Sequence, residues 1–489
     1  MKLPKEIKNI IDKLNQAGFE AYIVGGCVRD FLLGREPKDW DICTNSLPEQ
    51  IQQVFPNNIY ENKFGTVGIK TGSKDERLKI VEVTTYRVDE KYSDKRHPDA
   101  VRFTTSLEED LARRDFTINA IALRPGSKET QEIINPFNGQ EDLKNGLIRA
   151  VGNPAERFDE DALRMMRAIR FTVELSSAKQ VPFTIEGKTK EAIRKKAESI
   201  KAISKERIRD ELIKIIMSDL ASDGILLLQE LNLLPYIIPE LTQGINIAQN
   251  RHHIYSIFEH NVYSLKFAAQ KEYNLVVRLA ALLHDIGKTQ AKAGEGITAT
   301  FYNHDYIGAK IATRILDRLH LPRQTVDAVA NLINNHMFVY DVGAVTEAGI
   351  RRLLKRVGPE NMQDLINLRV ADRLGSGVPK AQPYRLRHFQ YMVAKVQHDA
   401  ISVKQLKING TDIMEILGIA PGPKIGAILD VLLAEAIEEP AKNTRQQLAE
   451  RAQALANFDL TELRRLAKER IAEKKEEEDD IIKKQYYVK

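Results

Sequence analysis

The chain has 489 residues, enough for two to four domains of about 150 residues, and its 43% apolar and 29% charged content excludes disordered, collagen-like and membrane-spanning classes. Seventy-three basic against 68 acidic side chains leave a net charge of +5, too weak a bias to identify a nucleic-acid partner by itself. Only Cys27 and Cys43 occur, no stretch approaches the ~20 apolar residues of a membrane span, and Met1-Lys2-Leu3-Pro4-Lys5 lacks the apolar run of a signal peptide, so a cytoplasmic chain without disulfides or a membrane partner is expected.

Ile7, Ile10, Ile11 and Leu14 recur at helical spacing and predict a helix over 5–17. Ala21 to Val24 reads as a short strand ended by Gly25-Gly26, and Val28 to Leu33 as a helix stopped by Gly34. Asp39 to Thr44, Val67 to Ile69 and Lys79 to Thr84 read as further strands. Residues 1–148 are thus expected to form a mixed α/β unit on a small sheet. Tyr86 to Asp99 is polar, follows a strand and is expected to be a mobile loop. Beyond Asn135-Pro136-Phe137-Asn138-Gly139 strand signals fade. Pro154 opens a helix predicted to run to about Phe171, residues 176–187 form a loop, and helical patterns dominate to the end. The expected class is α+β: a sheet-based head (1–148), a helical neck (149–240), a histidine-bearing body (245–380) and a helical C-terminal region (390–489). The charged tail from Ala472 reads as a solvated helix end.

Gly25-Gly26 between a strand and a helix start lets backbone N–H groups approach an anion, and Arg29 can meet a phosphate in bidentate fashion. Asp39 and Asp41, two apart on a predicted strand, project to one face. Such neighbours repel unless a divalent cation lies between them, and Mg²⁺ prefers a couple of carboxylates plus phosphate oxygens. The alternative is that one Asp only caps a helix or sits in a loop. Glu82, acidic within the apolar run Val81–Thr84, is either a third carboxylate facing that cation or a charge at a sheet edge. Arg113-Arg114-Asp115 suits triphosphate binding with an ion-pair clamp, or a surface salt bridge.

The segment from Glu160 to Arg170 places Asp161 and Arg164 at i, i+3, with Arg167 and Arg170 continuing the spacing and Leu163, Met166 and Ile169 forming a parallel apolar stripe. This is either a helix-stabilising pair or a base reader. Cytosine and adenine both carry an amino donor beside a ring-nitrogen acceptor, which Asp161 and Arg164 complement. Guanine and uracil would set a carbonyl against Asp161, at a cost on the order of 1–3 kcal/mol.

Gly25-Gly26-Cys27-Val28-Arg29-Asp30, Asp39-Trp40-Asp41, Arg113-Arg114-Asp115-Phe116-Thr117-Ile118-Asn119-Ala120 and Glu160-Asp161-Ala162-Leu163-Arg164 through Phe171 occur in this order. Together they resemble the class II CCA-adding tRNA nucleotidyltransferase and bacterial poly(A) polymerase family over about residues 15–215. Ile203-Ser204-Lys205-Glu206-Arg207-Ile208 resembles a further motif of that family. The resemblance implies a polymerase-β-like nucleotidyltransferase head, catalytic Mg²⁺ on Asp39 and Asp41, and incoming CTP or ATP bound by Gly26, Arg29, Arg113, Asp161, Arg164, Arg167 and Arg170; the residues themselves add Glu82 as a catalytic candidate and Gly25 and Arg114 as nucleotide-binding candidates. It implies tRNA as partner, gripped by the C-terminal region, where Arg464-Arg465 and Lys468-Glu469-Arg470 are either phosphate contacts or a solvated face. In the family a loop such as 86–99 accompanies full CCA addition; poly(A) polymerases and A-adding relatives share most motifs.

A second set, His260, His284-Asp285, His304, His336 and Asp372, suits an N/O site for a transition metal whose bound water attacks a phosphoester. Each residue alone could be a packing or surface side chain. Around Leu282-Leu283-His284-Asp285-Ile286-Gly287-Lys288, residues 255–375 resemble the HD phosphohydrolase superfamily. That resemblance implies His260, His284, Asp285 and Asp372 as metal ligands, His304 and His336 as the extra ligands of two-metal members, and phosphatase or 2′,3′-cyclic phosphodiesterase chemistry that would repair tRNA ends. His252 and His253 compete with His260 for the first position. A hydrolase whose head merely recruits RNA is the rival from another class.

Overall fold

The computed structural model describes residues 3–60, 65–89, 101–126, 131–178, 182–249, 254–377, 382–398 and 406–488. Two compact units emerge, Met1–His336 with Asn367–Pro379, and Met337–Ile366 with Lys380–Lys489. Residues 337–366, expected inside the 245–380 body, therefore group with the C-terminal helices.

The first unit opens with α1 (Lys5–Gln16), which sinks Ile7, Ile10, Ile11 and Leu14 into one face of the sheet. Each such fully buried aliphatic side chain is worth roughly 1.5–3 kcal/mol. The sheet runs β3-β4-β5-β2-β1-β8-β9, from β1 (Ala21–Val24), β2 (Asp41–Thr44), β3 (Asn58–Tyr60), β4 (Thr66–Lys70), β5 (Ile80–Thr85), β8 (Ala122–Pro125) and β9 (Gln131–Ile134). The helices α2 (Gly26–Leu32) and α3 (Pro48–Val54) connect its strands, and β6 (Arg87–Asp89) pairs antiparallel with β7 (Val101–Phe103) as a separate ribbon. β1 is antiparallel to β2, and β2 is parallel to β5. Ile23, Ile42, Val67, Ile69, Val81 and Val83 pack on the α1 side. Tyr22, Val24 and Cys43 pack on the other, with Tyr86, Ala120 and Leu111 of α4 (Leu107–Ala112).

Three expectations change. The strand expected over Asp39–Thr44 begins at Asp41, with Asp39 exposed in the bend before it. Of the predicted mobile loop, Tyr86 is a fully buried core residue and Arg87–Asp89 is a strand, while residues 90–100 lie outside the described set. The strand signal does not end at the head: β10 (Leu147–Ile148) pairs in parallel with β11 (Thr184–Ile185), inside the predicted loop 176–187.

The predicted helix from Pro154 is two helices. Asn153 caps α5 (Pro154–Glu160), whose first residue Pro154 needs no N–H there. Asp161 then turns extended (φ −144°, ψ 103°) before α6 (Leu163–Ala178). Leu163, Met166 and Ile169 are buried as the stripe predicts, and α6 packs on α7 (Lys205–Met217).

The histidine block uses α8 (Ile257–Gln270), α9 (Leu275–Leu283), α10 (His304–Arg318), α11 (Arg323–Asn335) and α12 (Met362–Gly375). Ser256 and Glu259 form a reciprocal capping box at the start of α8. Gly287, in the turn after α9, meets the start of α10 so closely that a Cβ would lie 2.1 Å from the His304 carbonyl oxygen.

The second unit is helical and is cored by Leu406, Ile408, Ile413, Ile428, Leu432, Leu448, Leu455 and Leu463. Arg464 and Arg465 are exposed there, and the side chains of Lys468, Glu469 and Arg470 lie outside the described set. The tail expected to be a solvated end belongs to the helix Leu460–Gln485. No helix among the described residues is long and apolar enough to cross a membrane.

Candidate active sites

The first site lies where β1 turns into α2. Gly25 has φ +82°, and a Cβ on it would approach Arg114 Nη1 to 2.9 Å and Asp41 Oδ2 to 3.5 Å. Glycine is therefore required twice, for conformation and for space. Asp41 and Glu82 are direct register partners on adjacent strands. β5 is interior to the sheet, between β4 and β2, which removes the sheet-edge alternative for Glu82. Burial pushes the Asp41 carboxyl up; Arg114 pulls it down, and the negative charges of Asp39 and Glu82 push it further, to about 6. Asp39 and Asp41 are thus not two rungs of one strand, yet both charges act at one place. An all-carboxylate donor set with this mutual repulsion fits a hard divalent cation.

Around it stand four arginines. Arg113 Nε and Nη2 donate to Asp110 Oδ1 at 3.0 and 2.9 Å, and Arg114 Nη2 reaches Asp110 Oδ2 at 3.4 Å. The clamp expected from Asp115 is therefore supplied by Asp110, which is fully buried. Burial works against the Asp110 carboxylate, but Arg113 and Arg114 hold it below its ordinary value. Asp115 instead accepts from Arg167 Nε at 2.8 Å and from Asn119 Nδ2 at 3.1 Å. Against the effect of burial, Arg167 and Asn119 bring its pKa down to about 2. Asn119 Oδ1 in turn accepts from Arg29 Nη1 at 2.9 Å. A hydrogen-bonded chain Arg29–Asn119–Asp115–Arg167 so links α2 to α6.

The side chains of Asp161 and Arg164 take other partners, although the Arg164 N–H donates to the Asp161 carbonyl at 3.1 Å, and Asp161 is not within the helix. Asp161 Oδ1 accepts from the Leu163 N–H at 3.0 Å, capping α6, and its carboxylate takes Arg207 of α7 at 2.7 Å. Arg164 Nη1 donates to Glu160 at 2.5 Å, and its Nη2 donates to the Arg113 carbonyl at 3.2 Å. Arg170 departs from the expected phosphate contact: it is buried, with Nε on Glu211 at 2.6 Å and Nη1 on Glu174 at 2.7 Å. Two carboxylates already neutralise it, so it acts as an interior tie between α6 and α7. Asp110, Asn119 and Arg207 were not foreseen as parts of the site. Each had a signal: Asp110 its i, i+3 spacing to Arg113, Asn119 its place in the Arg113–Ala120 motif and Arg207 its place in the Ile203–Ile208 motif.

The second site gathers all six predicted residues. His260 Nε2 lies 3.0 Å from His284 Nε2 and 3.2 Å from both Asp285 Oδ2 and Asp372 Oδ1. Asp285 Oδ1 faces His304 Nε2 at 3.4 Å and His336 Nε2 at 3.7 Å. The two oxygens of Asp285 thus serve two ligand groups, His260–His284–Asp285 and Asp285–His304–His336. The Nδ1 atoms of His284, His304 and His336 face the carbonyls of Ala281, Phe301 and Ile333 at 2.7–2.9 Å. Donation there leaves each Nε2 as an acceptor, the tautomer a metal requires. Burial opposes charge on His260, but Asp285 and Asp372 raise it to about 9, whereas burial lowers His284 and His304. Lys288 Nζ bridges Asp285 Oδ2 at 2.6 Å and Gln249 Oε1 at 2.7 Å, and Arg369 holds Asp372 at 2.7 Å. His252 and His253 lie outside the described residues.

Comparison with known proteins adds the family. The poly A polymerase head domain matches residues 21–149 and the HD domain matches 257–375. Models for an RNA-binding segment of polymerase A and for a second tRNA nucleotidyltransferase domain match 182–245 and 359–452. The A-adding tRNA nucleotidyltransferase of Deinococcus radiodurans is 34% identical over 426 residues, 84% of this chain and 90% of that one. The CCA-adding enzyme of Lactobacillus helveticus is 47% identical over 207 residues, 42% of this chain and about half (48%) of that enzyme. Among solved structures, the CCA-adding enzyme of Bacillus stearothermophilus in complex with CTP superposes with a TM-score of 0.55 at 28% identity, covering 93% of this chain and 98% of that one. The chain belongs to the class II tRNA nucleotidyltransferase and poly(A) polymerase family, whose nucleotidyl transfer depends on divalent metal, and it carries an HD domain in its body.

Proposed function

We propose that this protein adds CCA to the 3′ end of tRNA from CTP and ATP, without a nucleic-acid template, in the cytoplasm. The observation that carries this is the carboxylate group Asp39, Asp41 and Glu82 at the Gly25 turn, beneath Arg114. Asp39 and Asp41 would hold Mg²⁺, which supplies activation of the attacking hydroxyl and neutralisation of the leaving charge. Arg29, Arg113, Arg114 and Arg167 take the triphosphate. Asp161 accepts from the amino group of cytosine or adenine and Arg164 donates to the ring nitrogen. The tRNA 3′-hydroxyl oxygen bonds to the α-phosphorus as the bond to the β-phosphate bridging oxygen breaks, and pyrophosphate leaves toward the arginines. Positioning and charge stabilisation carry this step. The two buried, unpaired cysteines agree with a reducing compartment.

Addition of A alone is the second reading, favoured by the A-adding relative that matches over 84% of this chain. The HD cluster is assigned a transition metal and hydrolysis of phosphate or 2′,3′-cyclic phosphate at damaged tRNA ends. The test is to incubate tRNA lacking its end with CTP alone, ATP alone and both, and to sequence the products. CC with CTP alone and CCA with both support the proposal, and no addition with CTP alone overturns it. Asp41→Ala must abolish addition while metal-dependent hydrolysis persists.

A further inference from the structure

The mechanism above leaves Phe171 of α6 unused. Phe171 is 3% exposed, yet its ring is surrounded by cations rather than only by aliphatic groups. The guanidinium carbons of Arg170, Arg29 and Arg167 lie 4.1, 5.0 and 5.2 Å from its centroid. Phe116, two residues after Arg114, meets it edge-on at 5.8 Å and 86°. The faces of a benzene ring carry negative quadrupole charge that attracts guanidinium groups, and the attraction grows where water is excluded. Arg170 is neutralised by Glu211 and Glu174, Arg29 meets Asp30 and the uncharged Asn119, and Arg167 meets Asp115. Hydrogen bonds fix the guanidiniums of Arg29 and Arg167 along the chain through Asn119 and Asp115. The ring fixes them from beneath.

We propose that Phe171 is a positioning residue for nucleotide binding, its ring holding Arg29 and Arg167 together in the geometry that receives the triphosphate. This rests on the nucleotide site proposed above. Phe171 touches no reacting atom, so it acts on binding of both nucleotides alike and not on the choice between them.

The test uses the full-length chain carrying 4-fluoro-, 3,5-difluoro- or 3,4,5-trifluorophenylalanine at position 171. These rings keep their size but progressively lose the negative face. The expected result is a stepwise rise of KM for both CTP and ATP, reaching roughly tenfold, with kcat within about twofold. Phe171→Leu raises KM at least as far, and Phe171→Tyr restores it. In an Arg167→Ala background the fluorine series becomes shallower, because only Arg29 of the two remains on the ring. A KM that stays constant along the series, while Arg167→Ala alone raises it, overturns the proposal and leaves Phe171 as packing. If neither Arg29→Ala nor Arg167→Ala raises KM for CTP or ATP, the nucleotide site itself is wrong, a distinct outcome. Because the fluorinated rings preserve the core, a failure of Phe171→Leu to fold does not remove the test.

Discussion

Asp41 is held in an unfavourable state, and relieving it should stabilise the protein while destroying its activity. Its carboxyl, ordinarily at 3.8, sits at about 6 because burial and the charges of Asp39 and Glu82 outweigh Arg114. The folded value lies above the unfolded one, so the folded state binds the extra proton. Stability falls as pH rises from about 4 to about 6, and the penalty persists at higher pH. Such a displacement corresponds to about 3 kcal/mol; with solvent reaching this partly buried group, about 1–3 kcal/mol is the expected range. Asp41→Asn removes the charge at nearly constant shape. At pH 7.5 in EDTA the variant should melt higher than wild type by about 2–10 °C, and at pH 4 the two should coincide. Millimolar MgCl₂ should raise the melting temperature of wild type but not of the variant, since only a ligand of the folded state stabilises it. Nucleotide incorporation, measured in parallel, should vanish. An Asp41→Asn variant that melts lower than wild type at pH 7.5 in EDTA would refute the claim that three carboxylates converge there.

Gly25→Ala combines a left-handed backbone with a Cβ 2.9 Å from Arg114 Nη1; a loss of about 1–2 kcal/mol in urea unfolding and at least a tenfold fall in nucleotide incorporation are expected. Arg207→Ala removes the bidentate partner of Asp161, so the carboxylate gains freedom to rotate. The ratio of kcat/KM for CTP over UTP should drop by roughly tenfold, about 1.4 kcal/mol; an unchanged ratio would show that Arg207 does not aim Asp161. Asp285→Asn should abolish metal content by elemental analysis and hydrolysis of 2′,3′-cyclic nucleotides, while incorporation of CTP and ATP into tRNA continues.

What was legible in the sequence is chemistry carried by residues adjacent in the chain. Gly25-Gly26 after an apolar strand signals a close approach, and His284-Asp285 at the end of the apolar α9 signals a ligand pair. Even the four distant members of that cluster were legible, because residue type and order sufficed without knowing any angle. Legibility failed where a side chain must choose between partners. The apolar stripe Leu163, Met166, Ile169 runs on from Pro154 in helical phase, so periodicity alone predicts one helix and hides the break at Asp161. The signal for that break was present in kind: an Asp two residues ahead of an apolar helical run is a capping residue. Arg113 and Arg114 chose Asp110, one turn back in α4, while Asp115 lies beyond the end of that helix and takes Arg167 instead. For Arg170, whose partner Glu211 lies 41 residues away, no local pattern exists.

The same division separates the two sites chemically. In the HD cluster three of the four histidines, His284, His304 and His336, are oriented by a carbonyl three residues earlier on their own chain segment, Ala281, Phe301 and Ile333, so most of the ligand geometry is built locally. In the head, two arginines are oriented by groups on other elements: Asn119 and Phe171 for Arg29, and Asp115 for Arg167. A locally built site survives small shifts between helices, since each ligand carries its own brace. A site braced across elements does not, because any displacement of α6 against α2 moves Arg167 relative to Arg29. Perturbations of the contacts between α6 and α7, such as the Arg170–Glu211 tie, should therefore weaken nucleotide binding well before they affect metal retention in the HD cluster.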